Sequence, residues 1–164
     1  MRVLVPPVRF THMSDFPKTP IVKTPSKKAY KVSGAGCVVY RKKAGRVEVL
    51  LARRKDSLWM VPRGKMAQGE KPRAAAVREV FEETGIKVKP SLEIGSYSYP
   101  IGKARYKFVQ FFAATAVSGT PTPDNKEFSE VSWLSIEDAI SKVSSREAVL
   151  LESVSAMIKE KVLW

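Results

Sequence analysis

Cysteine, histidine and acidic residues are all scarce in this chain of 164 residues. The single cysteine, Cys37, cannot close an internal disulfide, so a reducing compartment is expected and the cytoplasm is the natural setting. It lies in the apolar run Cys37-Val38-Val39-Tyr40, where a small core residue is the expected role. The single histidine, His12, sits among prolines near the N-terminus, and no catalytic part is expected of it. No apolar run approaches the ~20 residues that a membrane helix needs. Residues 1–10 are too short and too broken by proline to form the apolar stretch of a secretory leader. Asp and Glu number only 16 against 29 Lys and Arg, a net charge of +13. Ten of those basic residues fall in residues 1–45, with Asp15 the only acid there, so much of the excess belongs to an N-terminal arm. Such an arm attracts polyanions, RNA among them, or simply keeps the chain in solution.

Enough apolar residue is present for one buried core, with 44% hydrophobic and 27% charged residues. Pro6, Pro7, Pro17, Pro20 and Pro25 exclude a long helix from the start of the chain. An extended arm over residues 1–29 and a folded domain over 30–164 are therefore expected. Residues 31–41 read as a buried strand in which Gly34 and Gly36 allow close backbone approach. Residues 47–53 read as a second strand, 58–61 as a short apolar stretch halted by Pro62, and 93–99 as extended. Strands are expected over 105–117 and 131–134, with Ser135 capping a short helix after them. The pattern Leu150, Leu151, Val154, Met157 and Ile158 puts one apolar face on a closing helix over 145–161. Strands around one internal helix describe an α/β or α+β sandwich.

Residues 64–86 carry the chemistry. Pro72 suits a first helical turn and Gly85 the residue past the last, and Ala74, Ala75 and Ala76 between them are strong helix formers. Helical projection puts Ala74, Val77, Val80 and Phe81 on one arc, expected to face a core. Glu79, Glu82 and Glu83, spaced i, i+3, i+4, fall on the other side. Three like charges on one turn repel, and the helix dipole disfavours the last two. Arg78 can pair with Glu82 but does not neutralise three acids. A hard divalent cation would, and all-oxygen ligands suit Mg²⁺ or Mn²⁺. A solvated acidic face is the plainer alternative.

Gly64, Glu70, Arg78, Glu79, Val80, Glu82, Glu83, Gly85 and Ile86 match the Nudix box, Gly-x5-Glu-x7-Arg-Glu-U-x-Glu-Glu-x-Gly-U with U aliphatic, without a gap. At residue frequencies near ~7%, chance gives this in fewer than about one chain in a million. The Trp59-x-x-Pro62-x-Gly64 entry and the Trp133-Leu134-Ser135 exit also resemble the family. The resemblance implies an α/β fold: a Nudix-type α/β/α sandwich with a mixed sheet and the catalytic helix packed on it. It also implies Mg²⁺-dependent hydrolysis of a phosphoanhydride, by substitution at phosphorus.

Carried over by position, Glu79, Glu82 and Glu83, with the carbonyl of Gly64, resemble the metal ligands. Arg78 looks like the residue that orients a glutamate and holds helix to loop, and Glu70 a structural or outer ligand. The general base is Glu82 or Glu83, or a residue outside the box. Glu127, six before Trp133, is the first choice there, ahead of Glu130. Arg63 and Lys65 flank Gly64 and are candidates for phosphate contact. Lys103, Arg105 and Lys107 alternate on one face, to bind a polyphosphate or to guard a strand edge. Tyr97, Tyr99 and Tyr106 are candidates for stacking on a base or for packing.

The stretch from Trp59 to Lys65 is similar to the entry segment of dinucleoside polyphosphate hydrolases and some MutT-like enzymes. Tyr99-Pro100 with Lys103, Arg105 and Lys107 resembles the polyphosphate-facing strand of that group and of diphosphoinositol polyphosphate hydrolases. Arg63 and Lys65 depart from the usual Lys and His of that entry. A dinucleoside polyphosphate of the diadenosine tetraphosphate type is the expected substrate. The alternatives are an oxidised (d)NTP, a diphosphoinositol polyphosphate, ADP-ribose or a 5′-triphosphorylated RNA, and a module that only binds polyphosphate.

Overall fold

The computed structural model describes residues 32–103 and 105–163; the expected arm over residues 1–29 lies outside them. Among the described residues seven strands form one mixed sheet: β1 (Val32–Lys43), β2 (Arg46–Arg54), β3 (Trp59–Met60), β4 (Arg63–Lys65), β5 (Lys87–Pro100), β6 (Tyr106–Ser118) and β7 (Phe128–Ser135). The order is β3-β2-β1-β6-β5, with β4 paired to β1 and β7 to β2. Among the described residues only β1 and β6 run parallel, with Cys37 opposite Phe112. Three helices complete the described residues: α1 (Pro72–Thr84), α2 (Ile136–Lys142) and α3 (Ser145–Lys159).

Alternation along β1 and β2 builds two cores. Ala35, Cys37, Val39, Leu50 and Ala52 pack with Ala75, Ala76 and Val80 of α1. Val38, Tyr40, Val49 and Leu51 pack with Ile136 and Ala139 of α2 and with Leu150, Leu151, Val154 and Ile158 of α3. Helices thus cover both faces of the sheet, the α/β/α sandwich expected from the resemblance. Cys37 is buried, and burial pushes its thiol up to about 12, which suits a core residue.

Two elements differ from expectation. β5 begins at Lys87 and not near residue 93, running through Pro90 with register shifts before and after Glu93. Among the described residues it pairs only with β6, and proline is tolerated on an edge strand or beside a bulge. β4 is three residues long, too short to show a period, and exists because β1 offers it room. A Cβ at Gly34 would lie 2.9 Å from the Gly64 carbonyl, and one at Gly36 would lie 2.3 Å from that of Pro62.

Candidate active site

Helix α1 starts at Pro72 and ends where Gly85 turns left-handed (φ 72°), its amide donating to the Phe81 carbonyl at 2.9 Å. The expected apolar arc needs correction. Ala74 and Phe81 face solvent, Phe81 being 47% exposed, while Ala75, Ala76, Val80, Glu83 and Thr84 are buried. The helix is turned so that small alanines meet the sheet, and a glutamate, 6% exposed, occupies the centre of the inward face. The arc drawn through Ala74, Val77, Val80 and Phe81 follows the apolar side chains; close packing against β1 and β4 centres the buried face near Ala76.

Arg78 gathers the surrounding acids. Its Nε and Nη2 donate to the two Glu70 oxygens at 2.8 and 2.9 Å, a bidentate pair. Its Nη1 donates to Glu79 Oε1 at 2.9 Å and Glu82 Oε2 at 3.1 Å. Nη2 also donates to the Lys65 carbonyl at 2.9 Å, which ties α1 to the end of β4. The Arg78 guanidinium, helped by the Ala67 amide, holds the Glu70 carboxyl down at about 2.

The three box glutamates do not share one environment. The Glu82 side chain is 55% exposed and that of Glu79 13%. Glu83 accepts from the Arg63 amide at 3.1 Å. Burial, with repulsion from Glu79, raises its carboxyl from 4.5 to about 9, and Glu127 adds to the repulsion. Burial likewise raises Glu79. A Cβ at Gly64 would fall 2.1 Å from the Glu79 carboxyl carbon, so glycine lets that acid lie against β4.

Two clefts open beside these residues. The first, of about 360 Å³, is lined by Gly64, Lys65, Glu79, Glu83, Lys107 and Glu127 among others. The second, of about 450 Å³, is lined by Trp59, Tyr97, Tyr99, Lys142, Arg146 and Glu147 among others. Arg54, Met60 and Arg63 line both and form their common wall.

A family model for the NUDIX domain matches residues 31–154. The chain belongs to the Nudix family. It is 31% identical to an 8-oxo-(d)GTP phosphatase of Mycolicibacterium smegmatis over 80% of this chain and 44% of that protein. It is 29% identical to diphosphoinositol polyphosphate phosphohydrolase 3-beta of Bos taurus over 72% of this chain and 73% of that protein. A solved Ap4A hydrolase of C. elegans in a binary complex superposes with TM-score 0.70 at 28% identity, covering 79% of this chain and 99% of that one. The chain spans about half the length of the first curated relatives it matches, at 44%, 58% and 47%.

With the Nudix frame in place, the expected site residues divide. Glu79, Glu83, Gly64, Arg63, Lys65, Lys107 and Glu127 line the first cleft. Glu82 stands outside its lining, held by Arg78. Lys103 and Arg105 are exposed in the turn between β5 and β6 and line neither cleft, so the alternation drawn through Lys107 separates there. Tyr97 and Tyr99 line the second cleft, whereas Tyr106 is 53% exposed and lines neither. Glu130 is occupied by Arg53 at 2.9 Å. The Arg63 guanidinium is ion-paired to Glu147.

Arg54, Arg146 and Glu147 escaped sequence reasoning. Nothing in their local pattern marks them, because the end of β2 and the start of α3 come to one cleft only in the folded chain. No helix among the described residues is long and apolar enough to cross a membrane.

Nudix hydrolases generally use a divalent cation such as Mg²⁺. Among the described residues no three acidic, histidine or cysteine side chains already converge on one point. Arg78 draws Glu79 and Glu82 to itself, and the Arg63 amide draws Glu83. The donor chemistry nevertheless fits such an ion. Three carboxylates from one turn carry only oxygen, and two are held above their ordinary range by burial. A bound cation would reverse that penalty.

Proposed function

We propose that this chain is a divalent-cation-dependent pyrophosphohydrolase that cleaves a phosphoanhydride bond in a dinucleoside polyphosphate of the diadenosine tetraphosphate type. The observation that carries this reading is the pair of clefts with a common wall. One holds Glu79, Glu83 and Glu127 beside Lys65 and Lys107, and the other is lined by Trp59, Tyr97 and Tyr99. A phosphate chain lying in the first with a base stacked in the second uses both. The C. elegans Ap4A hydrolase, matched over 99% of its length, supports the choice.

In this reading Glu79, Glu82, Glu83 and the Gly64 carbonyl hold Mg²⁺ or Mn²⁺. The ion, when bound, neutralises the diphosphate and acidifies a water. Arg78 draws Glu79 and Glu82 together from one side, and the Arg63 amide orients Glu83 from the other. Lys65 and Lys107 face the phosphate oxygens. Arg54, on the common wall, meets the phosphate chain where it passes between the clefts. Glu127 takes the proton of the attacking water, since the box glutamates are committed to the cation and Glu130 to Arg53.

A second reading, hydrolysis of an oxidised (d)NTP to a monophosphate and pyrophosphate, is favoured by the M. smegmatis relative. The deciding experiment is a Mg²⁺-dependent screen of the purified chain. It compares dinucleoside polyphosphates, oxidised dNTPs, ADP-ribose, diphosphoinositols and triphosphorylated RNA, with products resolved by chromatography. Fastest turnover of dinucleoside polyphosphate supports the proposal. Faster release of pyrophosphate from an oxidised dNTP replaces it with the second reading, and no Mg²⁺-dependent turnover of any substrate removes both.

A further inference from the structure

The carboxyl side chain of Glu147 is buried at the start of α3, 3% exposed, on the opposite face of the sheet from helix α1. Its two oxygens are both used. Oε1 pairs with Arg63 Nη1, and Oε2 accepts from the Val61 amide at 3.3 Å. Both partners belong to the segment 61–63, which is also gripped from β1, where the Cys37 amide donates to the Pro62 carbonyl at 3.2 Å. The same residue that Glu147 holds by its guanidinium offers its main-chain amide to Glu83 at 3.1 Å. Arg63 is therefore a septum, its side chain toward α3 and the aromatic cleft and its amide on the buried catalytic glutamate.

Stability alone does not account for this arrangement. Taking two charges out of water costs about as much as their attraction returns, and apolar residues of similar volume commonly serve a core as well or better. We propose that Glu147 is a positioning residue for phosphoanhydride hydrolysis. It clamps residues 61–63 from the α3 side, which fixes the Arg63 amide and through it the orientation of the Glu83 carboxylate. The inference rests on the functional reading above and adds to it a residue outside the Nudix box and outside the metal cleft.

The test compares native protein with Glu147→Gln, Glu147→Ala and the double variant Glu147→Leu/Arg63→Met, whose apolar pair preserves the fold if the single variants do not. Thermal unfolding, kcat and KM on the best substrate of the screen, and Mn²⁺ affinity by electron paramagnetic resonance are measured for each. A shift of about 1 Å in a reacting group costs up to ~100-fold in rate. Glu147→Gln, which keeps one acceptor, is expected to lose less kcat than Glu147→Ala. Glu147→Ala is expected to lose about 10-fold or more and to bind Mn²⁺ several-fold more weakly, with KM changed less than kcat. The double variant is expected to fold and to show the loss of Glu147→Ala. Folded variants with native kcat and native Mn²⁺ affinity overturn the inference while leaving the hydrolase reading intact. A native protein without Mg²⁺-dependent turnover overturns that reading, and the inference with it.

Discussion

Gly64 and Glu79 share one space: a methyl group on the glycine would sit 2.1 Å from the carboxyl carbon of the glutamate. Strand β4 thus meets helix α1 through an acid packed against bare backbone. Because the clash is with the far end of a flexible side chain, Gly64→Ala is expected to fold with a melting temperature within a few degrees of native. Its Glu79 carboxylate must move, so kcat is expected to fall by about 100-fold. Calorimetry and steady-state kinetics on the same preparation check both halves.

Arg78 makes five hydrogen bonds, to Glu70, Glu79, Glu82 and the Lys65 carbonyl. A lysine presents a point charge and cannot reproduce the planar fork. Arg78→Lys is expected to weaken metal binding by about 10–100-fold, the usual effect of removing a group that orients ligands. Titration with Mn²⁺ measures it.

The carboxyl of Glu83, raised from 4.5 to about 9 by burial and by repulsion from Glu79, gives the metal-free protein a signed pH dependence. The folded state holds a proton that the unfolded state releases above about 4.5, so stability is fullest below that pH and declines as pH rises toward 9. Melting temperature in chelator should fall across this window. The stabilisation given by added Mg²⁺ should grow over the same range, because the ion displaces the proton. A flat profile in chelator would remove the argument from burial.

Glu82 is the box acid that carries least of the fold, with a side chain 55% exposed. Glu82→Gln is expected to leave the melting temperature nearly unchanged while lowering kcat by at least ~100-fold. A Glu82→Gln protein that keeps most of its activity contradicts the roles assigned to this turn.

Much of this was legible before folding, for identifiable reasons. Pro72 and Gly85 bracket α1 by backbone chemistry, so its ends are where the sequence puts them. Leu150, Leu151, Val154 and Ile158 show a helical period, and they face the core. The orientation of α1 was not legible, because Glu83 is buried while Phe81 is left outside, against the hydrophobic rule. The first half of β5 was hidden by Pro90, which an edge strand or a bulge tolerates. Glu147 was hidden because the partners of its carboxylate, Val61 and Arg63, lie 86 and 84 residues away and are set by tertiary contacts alone.

Anomalous diffraction from crystals soaked in Mn²⁺ with a non-hydrolysable dinucleoside polyphosphate tests the central claim most directly. A manganese peak bounded by Glu79, Glu82 and Glu83 and touching the diphosphate is expected, with Arg78 retaining Glu70. A turn without manganese, its glutamates still on Arg78 and the Arg63 amide while the ligand lies elsewhere, would contradict it.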